Sequence, residues 1–552
     1  MIRIQETIRT LPFHRPVPLT GLPLLYHRDH LFPYRSYADT APVPVPRAFR
    51  MVVLENESLR VEVAPELGGR VYSLFDKRIR REILFSNPVV KPVRILPIWA
   101  FLSGGLEFNF PIAHSPTSIS EVGCRTGQED GYGFVRVGER EARTGMEWVV
   151  ELGLAGEAPV LVQRTALRNR TGAGHPWMMW TIGAVRSTEG TEFVHPPHRV
   201  LVHDDRLREL DWPGDGLNWD RNLRQMTALF WKPGSAPRFG VFHHDLGHGL
   251  MHLADPRQLP GKKVWSYGHG EHQSWGQATT EGGVSYAEIE SGPLLDQSEK
   301  PLFPDGAERR YEEFWIPVHS PAACETMTRP DLALPPWPEP WLGWQHSAWQ
   351  AEWEKFRCGD GALPTSTVVT GIDLESALRR EAQRGNPEAA ESLALWLAFH
   401  ERPTEALPFV DHGPNPTGRR VAGLIVWKAL KDPVQAVSHL EAGPLEDAVA
   451  VVELDALYAE LELTAKRGPL LARAGDHRLV TERRADLALA DGRPAETLRL
   501  LEATEWPREH QRYVRTELWK RATAALGEPV AAVPESLHED NLARFGAYWS
   551  DS

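Results

Sequence analysis

The sequence has 552 residues, 42% of them hydrophobic, and its 61 Lys and Arg against 74 Asp and Glu give a formal net charge of −13. A chain of this length predicts two or more domains. The negative charge argues against nucleic acid and anionic membranes as partners, and it favours an uncharged or cationic small molecule.

Residues 1–50 are rich in proline, and we predict an irregular N-terminal arm that packs on the following domain. Met1–Thr10 alternates charged and apolar residues and lacks the apolar core of a signal peptide. No apolar run in the chain approaches the roughly 20 residues that a membrane helix needs. Because the cysteines, Cys124, Cys324 and Cys358, are few and far apart, we expect no disulfide framework and a cytoplasmic location.

Residues 51–320 show a period of two, punctuated by Gly, Pro, Asn and Asp, which predicts many antiparallel strands. So many short strands can each bury one face only against a second sheet, so we predict a β-sandwich. The predicted strands are Met51–Leu54, Leu59–Val63, Arg70–Phe75, Trp148–Leu154, Val160–Leu167, Trp177–Val185, Phe239–His243, Gly249–Leu253 and Ser285–Ile289.

Residues 321–366 form a connector dense in Pro and Trp, which we expect to be docked on a domain surface because exposed indoles are a liability in a flexible linker. Residues 367–552 change to a period of 3.6 with Gly, Pro and Asn stops, which predicts an all-α domain of helical hairpins. Its helices resemble tetratricopeptide repeats, without a strict consensus, and a plain helical bundle is the alternative. The predicted helices are Leu374–Arg384, Glu388–His400, Val421–Leu430, Glu446–Leu461, Val480–Ala490, Pro494–Glu502 and His510–Leu526.

The strongest candidate for a functional site lies in the segment from Gly282 to Gly292, where Glu288 and Glu290 stand two residues apart on a predicted strand. Side chains at this spacing share one face of a sheet. A carboxylate held on a strand near aromatic residues can move a proton at a sugar hydroxyl or activate water. The alternative is that both glutamates are solvated positions on an exposed face.

Several segments of residues 1–320 together resemble an uncharacterised family of galactose mutarotase-like domains, often joined to tetratricopeptide-type repeats. They include Pro65–Arg70, Ser103–Pro111 with His114, His252–Asp255, Gly261–Gly268, and Tyr286–Gly292 with Asp296 and Gln297. The resemblance implies an α+β multidomain protein, with an antiparallel β-supersandwich whose concave face binds a carbohydrate, followed by the helical repeats. It also implies that Glu288 is the proton-abstracting glutamate. Leu106–Phe110 looks like the sugar-contacting segment, but Phe110 stands in place of that segment's Arg.

Glu107 follows Gly104 and Gly105, which predicts a tight bend that presents an acid close to Asn109 and His114. We therefore predict Glu288 and Glu107 as catalytic residues. The predicted substrate-binding residues are Asn109, His114, Trp180, His252, Trp265 and Trp275, although for each of them a structural role is the alternative. Lys262 and Lys263 follow Gly261 and are interpreted as exposed charges on a turn, with an anchor for an anionic substituent as the alternative.

No phosphate-binding loop, dinucleotide fingerprint or zinc-binding motif appears in the sequence, so we expect no cofactor and no metal. The predicted partner is a mono- or oligosaccharide, and the helical repeats are a possible site for a protein partner. The leading functional hypothesis is a glycoside hydrolase that uses two glutamates. The alternatives are an aldose 1-epimerase-like isomerase, with Glu288 as base and a histidine as acid, and a non-catalytic carbohydrate-binding protein.

Overall fold

The computed structural model describes residues 2–17, 20–27, 30–32, 39–96, 99–112, 114, 117–141, 143–204, 206–232, 237–270, 275–337, 339–341, 345–364, 374–411, 415–506, 514–529 and 533–537. In chain order the strands are β1 (Arg3–Phe13), β2 (Pro16–Val17), β3 (Tyr26–His27), β4 (His30–Leu31), β5 (Asp39–Thr40), β6 (Val45–Glu55), β7 (Leu59–Ala64), β8 (Arg70–Asp76), β9 (Arg81–Glu82), β10 (Val93–Leu96), β11 (Trp99–Phe101), β12 (Leu106–Asn109), β13 (Gly123–Glu129), β14 (Tyr132–Arg140), β15 (Glu147–Ala155), β16 (Leu161–Arg168), β17 (His175–Pro176), β18 (Trp180–Arg186), β19 (Thr191–Val194), β20 (His198–His203), β21 (Leu207–Trp212), β22 (Thr227–Trp231), β23 (Arg238–His243), β24 (His248–Ala254), β25 (Gly261–Ser266), β26 (Tyr286–Gly292), β27 (Leu302–Phe303) and β28 (Glu308–Val318).

Two antiparallel sheets form the N-terminal half. The larger sheet has 12 strands in the order β1-β6-β7-β8-β12-β18-β26-β25-β22-β20-β21, with β9 paired to β8. The second sheet has eight strands in the order β13-β14-β15-β16-β28-β24-β23-β19. Each of the nine predicted strands overlaps one of these, because alternating apolar residues bury one strand face against the opposite sheet.

The main hydrophobic core lies between the two sheets. On the larger sheet Leu106 pairs with Gly183, and a methyl group added at Gly183 would lie 3.2 Å from the ring of Trp315 in the second sheet. Glu107 and Ile182 alternate with these residues and therefore project from the opposite face of the larger sheet. The face that turns away from the second sheet thus carries the acidic side chains.

The first 50 residues differ from the irregular arm that the proline content predicts. Arg3–Phe13 is an 11-residue edge strand that pairs along its whole length with Val45–Glu55. The alternation of charged and apolar residues in this segment is the signature of a half-buried strand. The prediction of an irregular arm is therefore wrong for these residues.

The connector is docked on the sandwich, as its tryptophans predict. It contains two helices, α2 (Pro321–Thr326) and α3 (Ala348–Cys358), and Trp341 packs against Val149 and Ala166 of the second sheet. The indole nitrogen of Trp349 donates a hydrogen bond of 2.6 Å to the carbonyl of Glu121. These contacts fix the start of the helical half on the sandwich.

The C-terminal half is built from helices that pair as antiparallel hairpins, and the predicted all-α domain is confirmed. A short helix, α1 (Gly276–Thr279), belongs to the sandwich, and a π-helical segment, Ile425–Ala429, continues α7. The helices of the C-terminal half are α4 (Glu375–Gln383), α5 (Pro387–Phe399), α6 (Pro403–Ala406), α7 (Pro416–Leu424), α8 (Pro433–Glu441), α9 (Ala448–Glu460), α10 (Thr464–Arg473), α11 (Arg478–Ala490), α12 (Pro494–Glu502) and α13 (Val514–Ala525). In the described part of the chain no helix is both long enough and apolar enough to cross a membrane.

A stretch of the N-terminal arm packs on the helical half rather than on the sandwich. Leu25 and Leu31 belong to the hydrophobic core of the first hairpins. Arg420 on α7 donates a 2.7 Å hydrogen bond to the carbonyl of Pro23, and Asp447 accepts one of 3.2 Å from the amide of Leu22. The arm therefore crosses from the first domain to the second.

Candidate functional site

A row of side chains crosses four neighbouring strands of the larger sheet. Lys263 on β25 pairs with Glu290 on β26, Glu290 pairs with Ile182 on β18, and Ile182 pairs with Glu107 on β12. In the next row Trp265 pairs with Glu288. Because neighbouring strands lie about 4.8 Å apart, the Cα atoms of Glu107 and Glu290 are roughly 10 Å apart across β18.

A cavity lies above these two rows. Its walls combine acidic, basic and aromatic side chains. They are Phe101, His114, Ile182, Lys263, Trp265, Tyr267, Trp275, Glu288, Glu290 and Gln297. A cavity that combines aromatic side chains with convergent polar groups is the usual form of a small-molecule site.

Glu288 is buried in the wall of this cavity and accepts a 3.1 Å hydrogen bond from the hydroxyl of Tyr267. Burial raises the pKa of Glu288 well above its usual value, and the nearby carboxylates Glu290 and Glu107 raise it further. Lys263 and Tyr267 oppose this shift without cancelling it. The protonated form of Glu288 is therefore favoured, and in this form it can donate a proton to a bound molecule.

Glu107 lies behind His114 and contacts it directly. Its Oε1 atom is 2.9 Å from Nδ1 of His114, and its Oε2 atom accepts a 3.2 Å hydrogen bond from Arg70. Burial alone would raise the pKa of Glu107, but the opposing effects of His114 and Arg70 leave it below its usual value. An ionised carboxylate can only accept, so Nδ1 of His114 is the donor in this contact, and in the neutral imidazole Nε2 is then the acceptor.

The predicted tight bend before Glu107 is confirmed. Gly104 and Gly105 both have positive φ, 96° and 75°. A Cβ atom at Gly105 would lie 2.2 Å from the carbonyl oxygen of Val71, so only glycine fits there. Arg70 donates hydrogen bonds to the carbonyls of Leu102 and Gly104, which fixes the bend and the carboxylate that follows it.

Four of the eight predicted site residues line the cavity: Glu288, His114, Trp265 and Trp275. Asn109 lies beside His114, with its side-chain nitrogen 3.4 Å from Nδ1. Trp180 is buried beneath Lys263, whose Nζ atom is 4.9 Å from the centre of the indole. Glu107, Asn109 and Trp180 thus support the cavity wall from behind.

His252 lies outside this cavity, and its position does not favour the predicted contact with a sugar. It sits on β24 of the second sheet, fully buried, with Nε2 2.7 Å from Glu313. It also packs edge-to-face on Trp315. We interpret His252 as part of a polar network between the sheets.

The interpretation of Lys262 and Lys263 as exposed turn charges is wrong, because both are buried on β25. Their side chains leave opposite faces of the strand. Lys263 enters the cavity wall and pairs with Glu290 at 2.6 Å, whereas Lys262 points between the sheets, where burial lowers its pKa to about 8. Glycine before a lysine pair suggested a turn, but pairing with the distant β26 makes this segment a strand.

The predicted site residues do not include six residues that line the cavity or hold its wall: Arg70, Phe101, Ile182, Lys263, Tyr267 and Gln297. Phe101 packs edge-to-face on His114, with ring centres 4.9 Å apart, and it also contacts Trp275. Period-two spacing could have placed Lys263 on the same face as Trp265. No local signal could have found Arg70, because its contact with Glu107 depends on the pairing of distant strands.

A second cavity is lined by Glu107, Arg70 and Glu139. Glu139 accepts hydrogen bonds from Thr117 at 2.7 Å and from Gln350 of α3 at 3.1 Å. Burial raises the pKa of Glu139 to about 7.

The described residues contain no group of three or more His, Cys, Asp or Glu side chains arranged to hold a metal ion.

The family model described as Domain of unknown function (DUF5107) matches residues 27–318, more than half of the chain. The crystal structure of a TPR-domain containing protein from Parabacteroides distasonis is similar over 98% of both chains, with 29% identity and a TM-score of 0.90. Two similar structures cover 49% of this chain. One is a galactose mutarotase-like protein from Clostridium acetobutylicum, covered over 96% of its length at 10% identity and a TM-score of 0.37. The other is a putative aldose 1-epimerase from Escherichia coli, covered over 99% at 11% identity and a TM-score of 0.36.

The match at a TM-score of 0.90 extends through the sandwich, the connector and the helices. The arrangement of the two domains is therefore shared with the Parabacteroides protein. The similar structures include both kinds of protein that the sequence resembles, a galactose mutarotase-like protein and a protein with TPR repeats.

Proposed function

The chain belongs to the DUF5107 family, whose description assigns no function, and we therefore propose an activity from the chemistry of its cavity. The protein is a carbohydrate-active enzyme that moves protons at the anomeric centre of a sugar, as an aldose 1-epimerase does. One observation carries this proposal. A glutamic acid with a raised pKa, Glu288, and a histidine held by a carboxylate, His114, line the same aromatic cavity.

These two groups can act as an acid and a base at the same time. Glu288 is the acid and His114 the base, which reverses the roles that the resemblance implies, because the raised pKa of Glu288 favours its protonated form. Glu288 donates its proton to the ring oxygen of the sugar, while Nε2 of His114 accepts the proton of the hydroxyl on the anomeric carbon. The bond between that carbon and the ring oxygen breaks, and the electron pair left by the O–H bond forms the carbonyl of the open-chain aldehyde. Closure on the other face of the carbonyl returns both protons and gives the other anomer.

The surroundings suit a neutral, polyhydroxylated ligand. Phe101, Tyr267 and Trp275 pack against one another along the wall of the cavity, and Trp265 lies beside Glu288. Aromatic faces can pack against the C–H groups of a sugar ring. We therefore take the ligand to be a mono- or oligosaccharide.

Glycoside hydrolysis is the second candidate, and it is favoured by the presence of two carboxyl groups, Glu288 and Glu290, in the same cavity. Their Cα atoms are about 6.8 Å apart along the strand, since two residues of antiparallel β-structure span this length. The predicted pair of Glu288 and Glu107 is less well supported, because Glu107 acts on the cavity through His114. Glu290 is already paired with Lys263, which makes it a weaker base or nucleophile than hydrolysis requires.

The decisive experiment incubates the full chain with a panel of single anomers and disaccharides and follows the anomeric protons by NMR. The panel contains α-D-glucose, α-D-galactose, maltose, lactose and cellobiose. We expect faster interconversion of anomers with at least one sugar, and loss of this effect in Glu288→Gln at an unchanged melting temperature. New reducing ends from a disaccharide would instead establish hydrolysis.

A matched control is Glu157→Gln, which makes the same change at an exposed glutamate in the turn between β15 and β16. It should keep full activity. If Glu288→Gln retains most of the wild-type rate, the assignment of the acid is wrong. If no sugar of the panel reacts but one binds, the protein is a carbohydrate-binding protein and the proposed enzyme activity is wrong.

A further inference from the structure

Lys263 and Glu290 form a buried ion pair in the wall of the cavity. They are directly opposite each other on β25 and β26, with Nζ of Lys263 2.6 Å from Oε2 of Glu290. Both side chains are 1% exposed, so the pair is withdrawn from bulk water. Glu290 lies two residues beyond Glu288 on the same face, about 6.8 Å along the strand, which is close enough to contact a sugar ring held at the acid.

Aromatic rings enclose the ammonium group of Lys263. Its Nζ atom lies 4.9 Å from the ring centre of Trp180, 5.1 Å from that of Trp265 and 5.7 Å from that of Phe230. Together with Glu290 these rings compensate the positive charge. Lys263 and Arg70 each already contact a glutamate of the site, Glu290 and Glu107 respectively. A ligand carboxylate or phosphate would therefore add an uncompensated negative charge to a buried site.

The ion pair offers neighbouring donors and acceptors. An ammonium group has three N–H donors, and a carboxylate has two acceptor oxygens. A sugar hydroxyl both accepts and donates, so two adjacent hydroxyls can accept from Lys263 and donate to Glu290. This arrangement distinguishes a diol from a deoxy sugar.

Gln297 adds a further polar group on the same cavity. It follows β26 and lines the cavity, and its Oε1 atom is buried with no hydrogen-bond partner in the described part of the chain. A buried acceptor without a partner destabilises the protein, and a donor from a ligand would relieve this cost. The Gln297 amide is therefore suited to a third ligand hydroxyl.

We propose that Lys263, Glu290 and Gln297 form a hydroxyl-recognition subsite that selects an uncharged sugar unit with adjacent hydroxyl groups and rejects acidic or phosphorylated sugars. This inference rests on the proposed function, because it takes the ligand of the cavity to be a sugar. The three residues determine specificity, and they are not assigned a part in proton transfer.

The test measures binding by calorimetry in a Glu288→Gln background, in which no turnover interferes. The probes are D-galactose and D-glucose, their 3-deoxy and 4-deoxy derivatives, galacturonate and glucose 6-phosphate. We expect a parent sugar to bind at least 10-fold more tightly than one of its deoxy derivatives and than both acidic sugars. The affinity for the parent sugar should be nearly the same at low and high salt, since no ion is released on binding.

Removing one charge of the pair would leave the other buried and unpaired, so the variant to use is the double substitution Lys263→Met with Glu290→Gln. It should lose the preference for the parent sugar over the deoxy derivative. Gln297→Leu, which changes no charge, should lose part of the same preference. Lys262→Met is the matched control, because this neighbouring lysine points between the sheets and its loss should leave the preference unchanged.

Each outcome separates this inference from the proposed function. If a sugar binds but the double variant and Gln297→Leu keep the wild-type preference, the subsite is wrong and the sugar site stands. If an acidic sugar binds more tightly than its neutral parent, with an affinity that falls steeply with salt, the subsite binds anions and the inference is wrong. If none of the sugars binds, both proposals fail.

Discussion

Oε1 of Glu107 lies 2.9 Å from Nδ1 of His114, and the same carboxylate accepts a hydrogen bond from Arg70. This contact holds one nitrogen of the imidazole and leaves the other for the cavity. The glutamate that the Gly104-Gly105 bend presents therefore acts on the site through a histidine.

Glu107→Gln should reduce turnover less than Glu288→Gln does, because the glutamine still contacts His114 but no longer stabilises a positive imidazole. We expect the rate to fall by about 10-fold to 100-fold. Steady-state kinetics checks this, and an unchanged rate would contradict the role of Glu107 as a positioning residue.

Tyr267→Phe should move the alkaline limb of the pH–rate profile to higher pH. The hydrogen bond from Tyr267 lowers the pKa of Glu288, so its removal raises that pKa and keeps the acid protonated over a wider range. With Glu288 as the acid, the rate falls as pH rises through its pKa. A shift of the limb to lower pH would show that Glu288 acts in its ionised form.

Glu139→Gln should stabilise the protein at pH 8 and have little effect at pH 5. The pKa of Glu139 is raised from 4.5 to about 7 by burial, so the folded state holds the proton more tightly than the unfolded chain. Stability is therefore lost as pH rises from about 4.5 to 7, by about 3 kcal/mol in total. Thermal unfolding at both pH values checks this. The exposed Glu157→Gln serves as control and should show no such difference.

Leu31→Ala should destabilise the helical half although the residue belongs to the N-terminal arm. Its side chain is buried in the core of the first hairpins, and truncation of a buried leucine costs about 2–5 kcal/mol. Hydrogen exchange should report lost protection in α5, α7 and α9. Leu302→Ala, at a leucine 66% exposed on the sandwich, is the control. Unchanged protection of these helices in Leu31→Ala would show that the arm contributes nothing to them.

The sequence predicts those parts of the fold and the site that depend on local periodicity. Glu288 and Glu290 follow from a period of two within one strand, and the bend before Glu107 follows from two adjacent glycines. Lys263 was misplaced because its neighbours in the site come from β26 and β18, and a local pattern does not contain the strand order.

His252 shows the same limit, since alternation places a side chain on one face of a strand without saying what that face covers. The N-terminal arm shows a different limit of prediction from the sequence. Its alternation in Arg3–Phe13 is visible in the sequence, but the many prolines of the first 50 residues suggested irregular structure.

The crossing of the arm to the helices has a consequence for the order in which the protein is made. Leu22 and Pro23 leave the ribosome early, but Asp447 and Arg420, which bind them, are synthesised several hundred residues later. At roughly 5–20 residues per second the arm waits tens of seconds for its partners. During that time Leu25 and Leu31 have no helical core to enter, and the nascent chain exposes an apolar segment that a chaperone or a second nascent copy can bind.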